Sequence, residues 1–116
     1  MKKQEIYMWM NQNEIEWAAQ QKYNCPNLQK AVNLLWRLME AVNRQSDGWP
    51  YWKTPAQAAA KLMTLVHTAG RHGQITNEEL RKAITPIRAM VTRQNKVQAK
   101  YGNTFNFDVD AALKQS

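Results

Sequence analysis

The amino-acid sequence predicts an all-α fold, a single compact bundle of four to five helices. Apolar residues recur at the three- and four-residue spacing of amphipathic helices along most of the chain. Proline, glycine and capping residues separate these stretches, and only a short segment near the C-terminus alternates in the manner of a strand. A length of 116 residues suffices for one hydrophobic core, so we expect residues 1–116 to form a single helical domain.

The first two helices are predicted from apolar stripes on either side of Pro26. The first runs from Lys3 to about Gln21, and its apolar face consists of Ile6, Trp9, Met10 and Trp17. Pro26 disfavours helical geometry in the residue before it and suits the first turn of a following helix. The stripe of that second helix consists of Leu28, Ala31, Val32, Leu35, Leu38, Met39 and Val42. We expect it to end near Gln45, ahead of a Ser-Asp-Gly turn.

The third helix is predicted from Pro55 to about Ala69. Thr54 is its expected N-cap, and proline suits the first helical position because it has no N–H to leave unpaired. The buried side should consist of Ala58, Ala59, Leu62, Leu65, Val66 and Ala69. Gly70 and Gly73 are expected to end this helix.

A further long helix is predicted to begin after Thr76. Thr76 and Glu79 have the spacing of a capping box, in which each side chain binds the backbone N–H of the other residue. Pro86 leaves two alternatives open, because proline removes one backbone hydrogen bond from a helix. It either kinks one long helix or divides it, with Thr85 as the cap of the second half.

The C-terminal segment is predicted to be a tail. Phe105 and Phe107 are expected to fill the edge of the core. A last helical turn through Leu113 would be capped by Asp108 or Asp110.

The net charge of +7 is concentrated in the second half of the chain. Residues 1–47 hold six basic and five acidic side chains, whereas residues 48–116 hold ten basic and four acidic ones. The second half therefore carries +6 of the total of +7. Such an excess favours association with polyanions, although it also serves solubility alone.

A basic helical face is the strongest functional signal. Six cations and no acidic residue occur between positions 81 and 100, namely Arg81, Lys82, Arg88, Arg93, Lys96 and Lys100. On a continuous helix they fall within an arc of roughly 160°. The opposite side is apolar and consists of Leu80, Ile84, Ile87, Met90, Val91, Val97 and Tyr101. Polar residues able to reach phosphate, sugar or base edges lie between the cations, namely Thr85, Thr92, Gln94, Asn95 and Gln98.

This face predicts a small basic nucleic-acid-binding protein or subunit. Lysine and arginine side chains neutralise phosphates and release counterions, so the six cations should contact the phosphate backbone of DNA or RNA with little sequence specificity. Two alternatives stay open. The face is a solvated outer surface whose cations near the C-terminal end complement the helix dipole, or it binds an acidic protein.

An aromatic connector carries the alternative function. Trp49, Tyr51 and Trp52 flank Pro50 in a loop, where they could anchor a protein partner or pack on the core instead. With the aromatic N-terminal helix, they would suit a non-enzymatic protein-interaction module. Such a module, for example a phage- or mobile-element-encoded accessory or inhibitor protein, would dock on a larger protein or nucleoprotein complex. Self-association into a homo-oligomer through the apolar faces of the first two helices is a third alternative.

No catalytic, cofactor or metal-binding pattern is found in the sequence. Cys25 is the only cysteine, and neither His67 nor His72 has an acidic residue or cysteine nearby in the chain. We expect His67 to be partly buried on a helix and His72 to lie in a loop. The protein should therefore not be an enzyme and should need no cofactor or metal.

The sequence also predicts a cytoplasmic protein without a membrane partner. No stretch approaches the roughly 20 apolar residues that span a bilayer. Polar residues interrupt the N-terminal segment where a signal peptide would need an apolar core.

Overall fold

A computed structural model describes residues 12–44, 53–70, 72–100 and 107–114 of the chain. Six α-helices lie in these ranges: α1 (Gln12–Ala19), α2 (Pro26–Arg44), α3 (Lys53–Ala58), α4 (Ala60–Ala69), α5 (Asn77–Lys100) and α6 (Val109–Lys114). None of the described residues belongs to a strand, and buried residues from all six helices form one core cluster. The prediction of an all-α bundle is confirmed.

Helix α2 is the centre of the bundle. It packs against α1, α4, α5 and α6, and all seven residues of its predicted stripe are buried. Leu34 and Ala41 are buried as well, although they lie outside that stripe. The buried arc is wider than predicted because neighbouring helices cover α2 on more than one side.

Helix α1 buries a different side from the one predicted. Ile15 and Ala18 are buried, whereas Trp17 is 57% exposed. Ile15 and Ala18 are three residues apart and share a face, while Trp17 projects roughly 200° around the helix from Ile15. The assignment of Trp17 to the core face was therefore wrong. Ile6, Trp9 and Met10 of the predicted stripe lie outside the described residues.

The predicted third helix is divided at Ala59 into α3 and α4. Ala59 has φ −93° and ψ 2°, although backbone hydrogen bonds of 2.9 Å still join it to Pro55 and Met63. Helix α3 begins at Lys53, so Thr54 lies inside its first turn and not before it.

The buried side of this helix pair also differs from the prediction. Ala59, Leu62 and Val66 are buried as expected, but Ala56 and Met63 are buried as well. The other three predicted residues are only half-buried against the core, namely Ala58, Leu65 and Ala69.

Two glycines, Gly70 and Gly73, lie between α4 and α5. Gly70 ends α4 with φ +63°, a conformation that favours glycine, and its N–H donates to the carbonyl of Val66 at 3.1 Å. The N–H of Gly73 donates to the carbonyl of Ala69 at 2.9 Å. A Cβ atom on Gly73 would lie 2.7 Å from the Cα and 2.8 Å from the Cβ of Ala69, so this position excludes a side chain.

Helix α5 begins with the predicted capping box and runs through Pro86. The N–H of Thr76 donates to Oε1 of Glu79 at 2.9 Å, and the N–H of Glu79 donates to Oγ1 of Thr76 at 3.1 Å. The helix continues without division for 24 residues. Thr85 is not a second cap, because its hydroxyl donates back to the carbonyl of Arg81 at 3.0 Å.

The N-termini of α2 and α5 are joined by Asn27. Its side-chain amide donates to the carbonyl of Ile75 at 2.9 Å and to Oδ1 of Asn77 at 2.8 Å. Cys25 is buried beside them. Burial alone would raise the pKa of its thiol, but hydrogen bonds with backbone groups of Ile75, Leu28 and Asn27 outweigh that effect and lower the pKa.

The C-terminal segment is a helix that packs on α2 and α5, and not a tail. Asp108 is its cap, since Oδ1 accepts a hydrogen bond from the N–H of Ala111 at 3.2 Å. Val109 and Ala112 of α6 are buried in the core. Phe107 is half-buried against the core, and Phe105 lies outside the described residues.

Candidate nucleic-acid interface

All six predicted cations lie on the exposed side of α5. The buried side of the helix consists of Leu80, Ala83, Ile84, Ile87, Met90 and Val91. Because α5 is continuous through Pro86, Arg81 and Lys82 remain in line with the cations that follow. At 1.5 Å per residue, the cationic face from Arg81 to Lys100 is about 28 Å long.

Arg88 is held by a carboxylate from another helix. Its Nη1 and Nη2 atoms donate to Oδ2 and Oδ1 of Asp110 at 3.2 and 2.7 Å, which is the two-bond geometry of a guanidinium fork. The hydrogen bond from Arg88 lowers the pKa of Asp110 and, in turn, raises the pKa of the Arg88 guanidinium. Asp110 therefore compensates the charge of Arg88 at the surface, where the two side chains are 48% and 65% exposed.

Lys82 has a weaker acidic partner. Its Nζ lies 3.2 Å from Oε2 of Glu78 one helical turn earlier, and both side chains are more than half exposed. Exposed pairs of this spacing contribute only about 0.3–0.5 kcal/mol. A phosphate group can displace Glu78 at small cost, so Lys82 differs from Arg88.

The other four cations have no ion pair with any of the described residues. They are Arg81, Arg93, Lys96 and Lys100, and each of them is exposed. The face thus combines four unneutralised cations, one cation in an exchangeable pair, and one cation fixed by Asp110.

A groove runs beside this face, between α5 and residues 107–110 at the start of α6. It has a volume of about 420 Å³ and is lined by Arg88, Val91, Thr92, Asn95, Phe107, Asp108, Val109 and Asp110. Oδ1 of Asn95 accepts a hydrogen bond from the N–H of Phe107 at 3.4 Å. The sequence did not predict this groove, because its two walls are more than ten residues apart in the chain.

A second, smaller pocket lies where α1 meets the end of α4. It has a volume of about 280 Å³ and is lined by Glu14, Trp17, Ala18, Tyr23, Val66, His67 and Gly70. His67 is exposed, and its Nδ1 lies 3.8 Å from Oε2 of Glu14. The expectation that His67 is partly buried was wrong, because α4 turns this position away from the core. His72 is exposed in the loop before α5, as expected.

The predicted partner-binding residues Trp49, Tyr51 and Trp52 lie outside the described residues. Within the described part of the chain, Trp17 is the exposed large apolar side chain. Trp17 belongs to the aromatic N-terminal helix, which is also part of the predicted protein-interaction module.

The described residues show no metal centre or membrane-spanning helix. No cluster of three or more histidine, cysteine, aspartate or glutamate side chains occurs among them in an arrangement that could hold a metal ion. None of their helices combines the length and the apolar character needed to cross a membrane. Comparison with protein-family models, with curated proteins and with solved structures gave no match.

Proposed function

We propose that this protein binds nucleic acid through the exposed face of α5, without catalysing a reaction. The observation that carries the proposal is the set of four exposed cations without an acidic partner among the described residues, on one side of one helix. Cations in this arrangement release counterions when they neutralise phosphates, and this provides affinity without sequence readout. The proposal includes a cytoplasmic location, which the single cysteine favours.

The number of available cations sets the expected salt dependence. With four phosphate contacts on a single strand, the logarithm of the binding constant should fall against the logarithm of salt concentration with a slope of about −2.8. Affinity should then fall about 50-fold between 50 and 200 mM salt. Lys82 would make the slope steeper by about 0.7 if phosphate displaces Glu78.

Fluorescence anisotropy with a labelled oligonucleotide tests this expectation. The single substitutions Arg93→Gln and Lys96→Gln should each reduce the slope by about 0.7. Lys22→Gln is the matched control, because Lys22 is an exposed cation in the connection between α1 and α2. Binding that is insensitive to salt, or that weakens equally in Lys22→Gln, would refute the assignment of this face.

The second candidate function is a protein-interaction module that docks on a larger complex. The observation that favours it is Trp17, which is 57% exposed at the edge of the smaller pocket. Exposed tryptophan side chains are frequent anchors of protein interfaces. In a quantitative pull-down from the native source, Trp17→Ala should release the partner, whereas Lys96→Gln should not. A partner that Trp17→Ala retains at full strength would contradict this function.

A further inference from the structure

The groove between α5 and α6 has the size and lining of a site for a flat organic ring. Its volume of about 420 Å³ falls within the range of about 300–1,000 Å³ typical of small-molecule sites. Val91 and Val109 are buried side chains that contribute apolar surface to it, and Phe107 is a half-buried ring. Thr92 and Asn95 add polar groups. Five of the eight lining residues are polar or charged, and a groove that offers flat and apolar surface beside hydrogen-bonding groups suits a nucleobase, which stacks on its faces and forms hydrogen bonds at its edges.

Arg88 lines this groove in a fixed orientation. Nη1 and Nη2 each give one N–H to Asp110, so the guanidinium plane is held in place and two of its five N–H donors are occupied. The flat face of an arginine side chain is a stacking surface for bases. The Arg88–Asp110 pair therefore fits a base better than it fits the phosphate contact predicted from the sequence.

The charges around the groove favour different positions for the base and for the phosphate of a nucleotide. Asp108 lies in its wall and forms no ion pair with any of the described residues, so a phosphate group is disfavoured beside it, whereas its carboxylate can accept a hydrogen bond from the amino group of a base. Arg93 and Lys96 directly follow the groove residues Thr92 and Asn95 and lie exposed on the cationic face. Phosphates are favoured outside the groove and a base is favoured inside it.

From this arrangement we propose that the groove takes up an unpaired base of a single-stranded nucleic acid whose phosphates lie along the cationic face of α5. This inference rests on the proposed nucleic-acid-binding function and adds the class of ligand to it. Bases in a duplex are stacked and paired, so they reach such a groove only after they are extruded at an energetic cost. Single strands should therefore bind more tightly than duplexes of the same length.

The decisive experiment compares strands of equal charge with and without bases. The full chain is titrated into a labelled single-stranded oligonucleotide and into the same strand with abasic positions, each at the same series of salt concentrations. The intact strand should bind at least about fivefold more tightly, since base stacking on protein side chains has an effect of this size per base. The slope against salt should be the same for both strands, because both carry the same phosphates.

Two matched variants locate the effect. Thr92→Trp places a bulky side chain in the groove, and Thr68→Trp places the same side chain on the exposed side of α4, away from the cationic face. Thr92→Trp should abolish the difference between intact and abasic strands and keep the salt slope, whereas Thr68→Trp should keep the difference. A third variant, Arg88→Lys, retains the charge without the flat surface and should reduce the difference.

Each other result overturns one specific claim. Equal affinity for intact and abasic strands, tighter binding of duplex, or an unchanged difference in Thr92→Trp would overturn the base-binding groove and leave the cationic face in place. Absence of salt-dependent binding to both strands would instead overturn the proposed function itself.

Discussion

Replacing Pro86 with alanine should stabilise the protein, because this proline lies inside a helix without contributing to the core. Its side chain is exposed, and it lies near the middle of the 24 residues of α5. Proline has no N–H for the carbonyl of Lys82 one turn earlier, and its ring crowds that carbonyl. Alanine would restore the hydrogen bond and remove no buried contact.

The expected gain is about 2 kcal/mol. Proline in a helix interior is about 3 kcal/mol less favourable than alanine. Alanine also makes the unfolded chain more flexible, which offsets up to about 1 kcal/mol of this gain. For a chain of this length, a net gain of about 2 kcal/mol corresponds to a rise in Tm of roughly 8 °C.

Urea unfolding followed by far-ultraviolet circular dichroism measures this change. Ala89→Gly is a reference for the effect of helix propensity on the exposed side of α5, and it should destabilise the protein by about 1 kcal/mol. Both variants should show the m-value of the wild type, since neither changes the buried surface. If Pro86→Ala is neutral or destabilising, then the packing of α5 on α3 and α4 requires a bend at Pro86, and the proline does not destabilise this helix.

Three further expectations concern stability. Thr76→Ala should cost about 1 kcal/mol in urea unfolding by removing half of the capping box, and an effect near zero would mean that the box contributes nothing in solution. Leu34→Ala should cost about 2–5 kcal/mol because it leaves a cavity in the core, whereas Trp17→Ala should change stability by no more than about 0.5 kcal/mol; equal effects would contradict the burial pattern. Because the pKa of Asp110 is lowered in the folded protein, its pair with Arg88 stabilises fully above the ordinary pKa of 3.8 and is lost as pH falls through the lowered value. The stability difference between wild type and Asp110→Asn should therefore shrink in acid, and a difference independent of pH would argue against the pair.

The parts of the fold that the sequence predicts are those with local determinants. The capping box depends on two residues three positions apart, so Thr76 and Glu79 can be recognised without knowledge of the fold. The stripe of α2 follows the helical period in the same way. Leu34 could not be assigned to the core, because its burial depends on a second layer of neighbours around α2.

The candidate site likewise combines features that local sequence determines with features that depend on tertiary packing. The exposure of the cations on α5 follows from the helical period alone. The fixing of Arg88 does not, because Asp110 lies 22 residues further along the chain and belongs to a different helix. The ion pair of Arg88 with Asp110 depends on how α6 packs on α5, and the groove depends on the same packing. The helical period therefore identifies the exposed surface, but it does not show which of its cations have an acidic partner in the folded protein.

The orientation of the cationic face depends on Gly73, a position that has no room for a side chain. Any larger residue would press on the backbone of Ala69 and push the start of α5 aside. Helix α5 is a rod of about 36 Å, so a tilt of about 10° at its base would move the far end by about 6 Å. That displacement is about twice the roughly 3 Å length of a hydrogen bond between a charged side chain and a phosphate oxygen. A variant altered only at Gly73 could thus keep every charged group and still present those charges out of step with a nucleic acid.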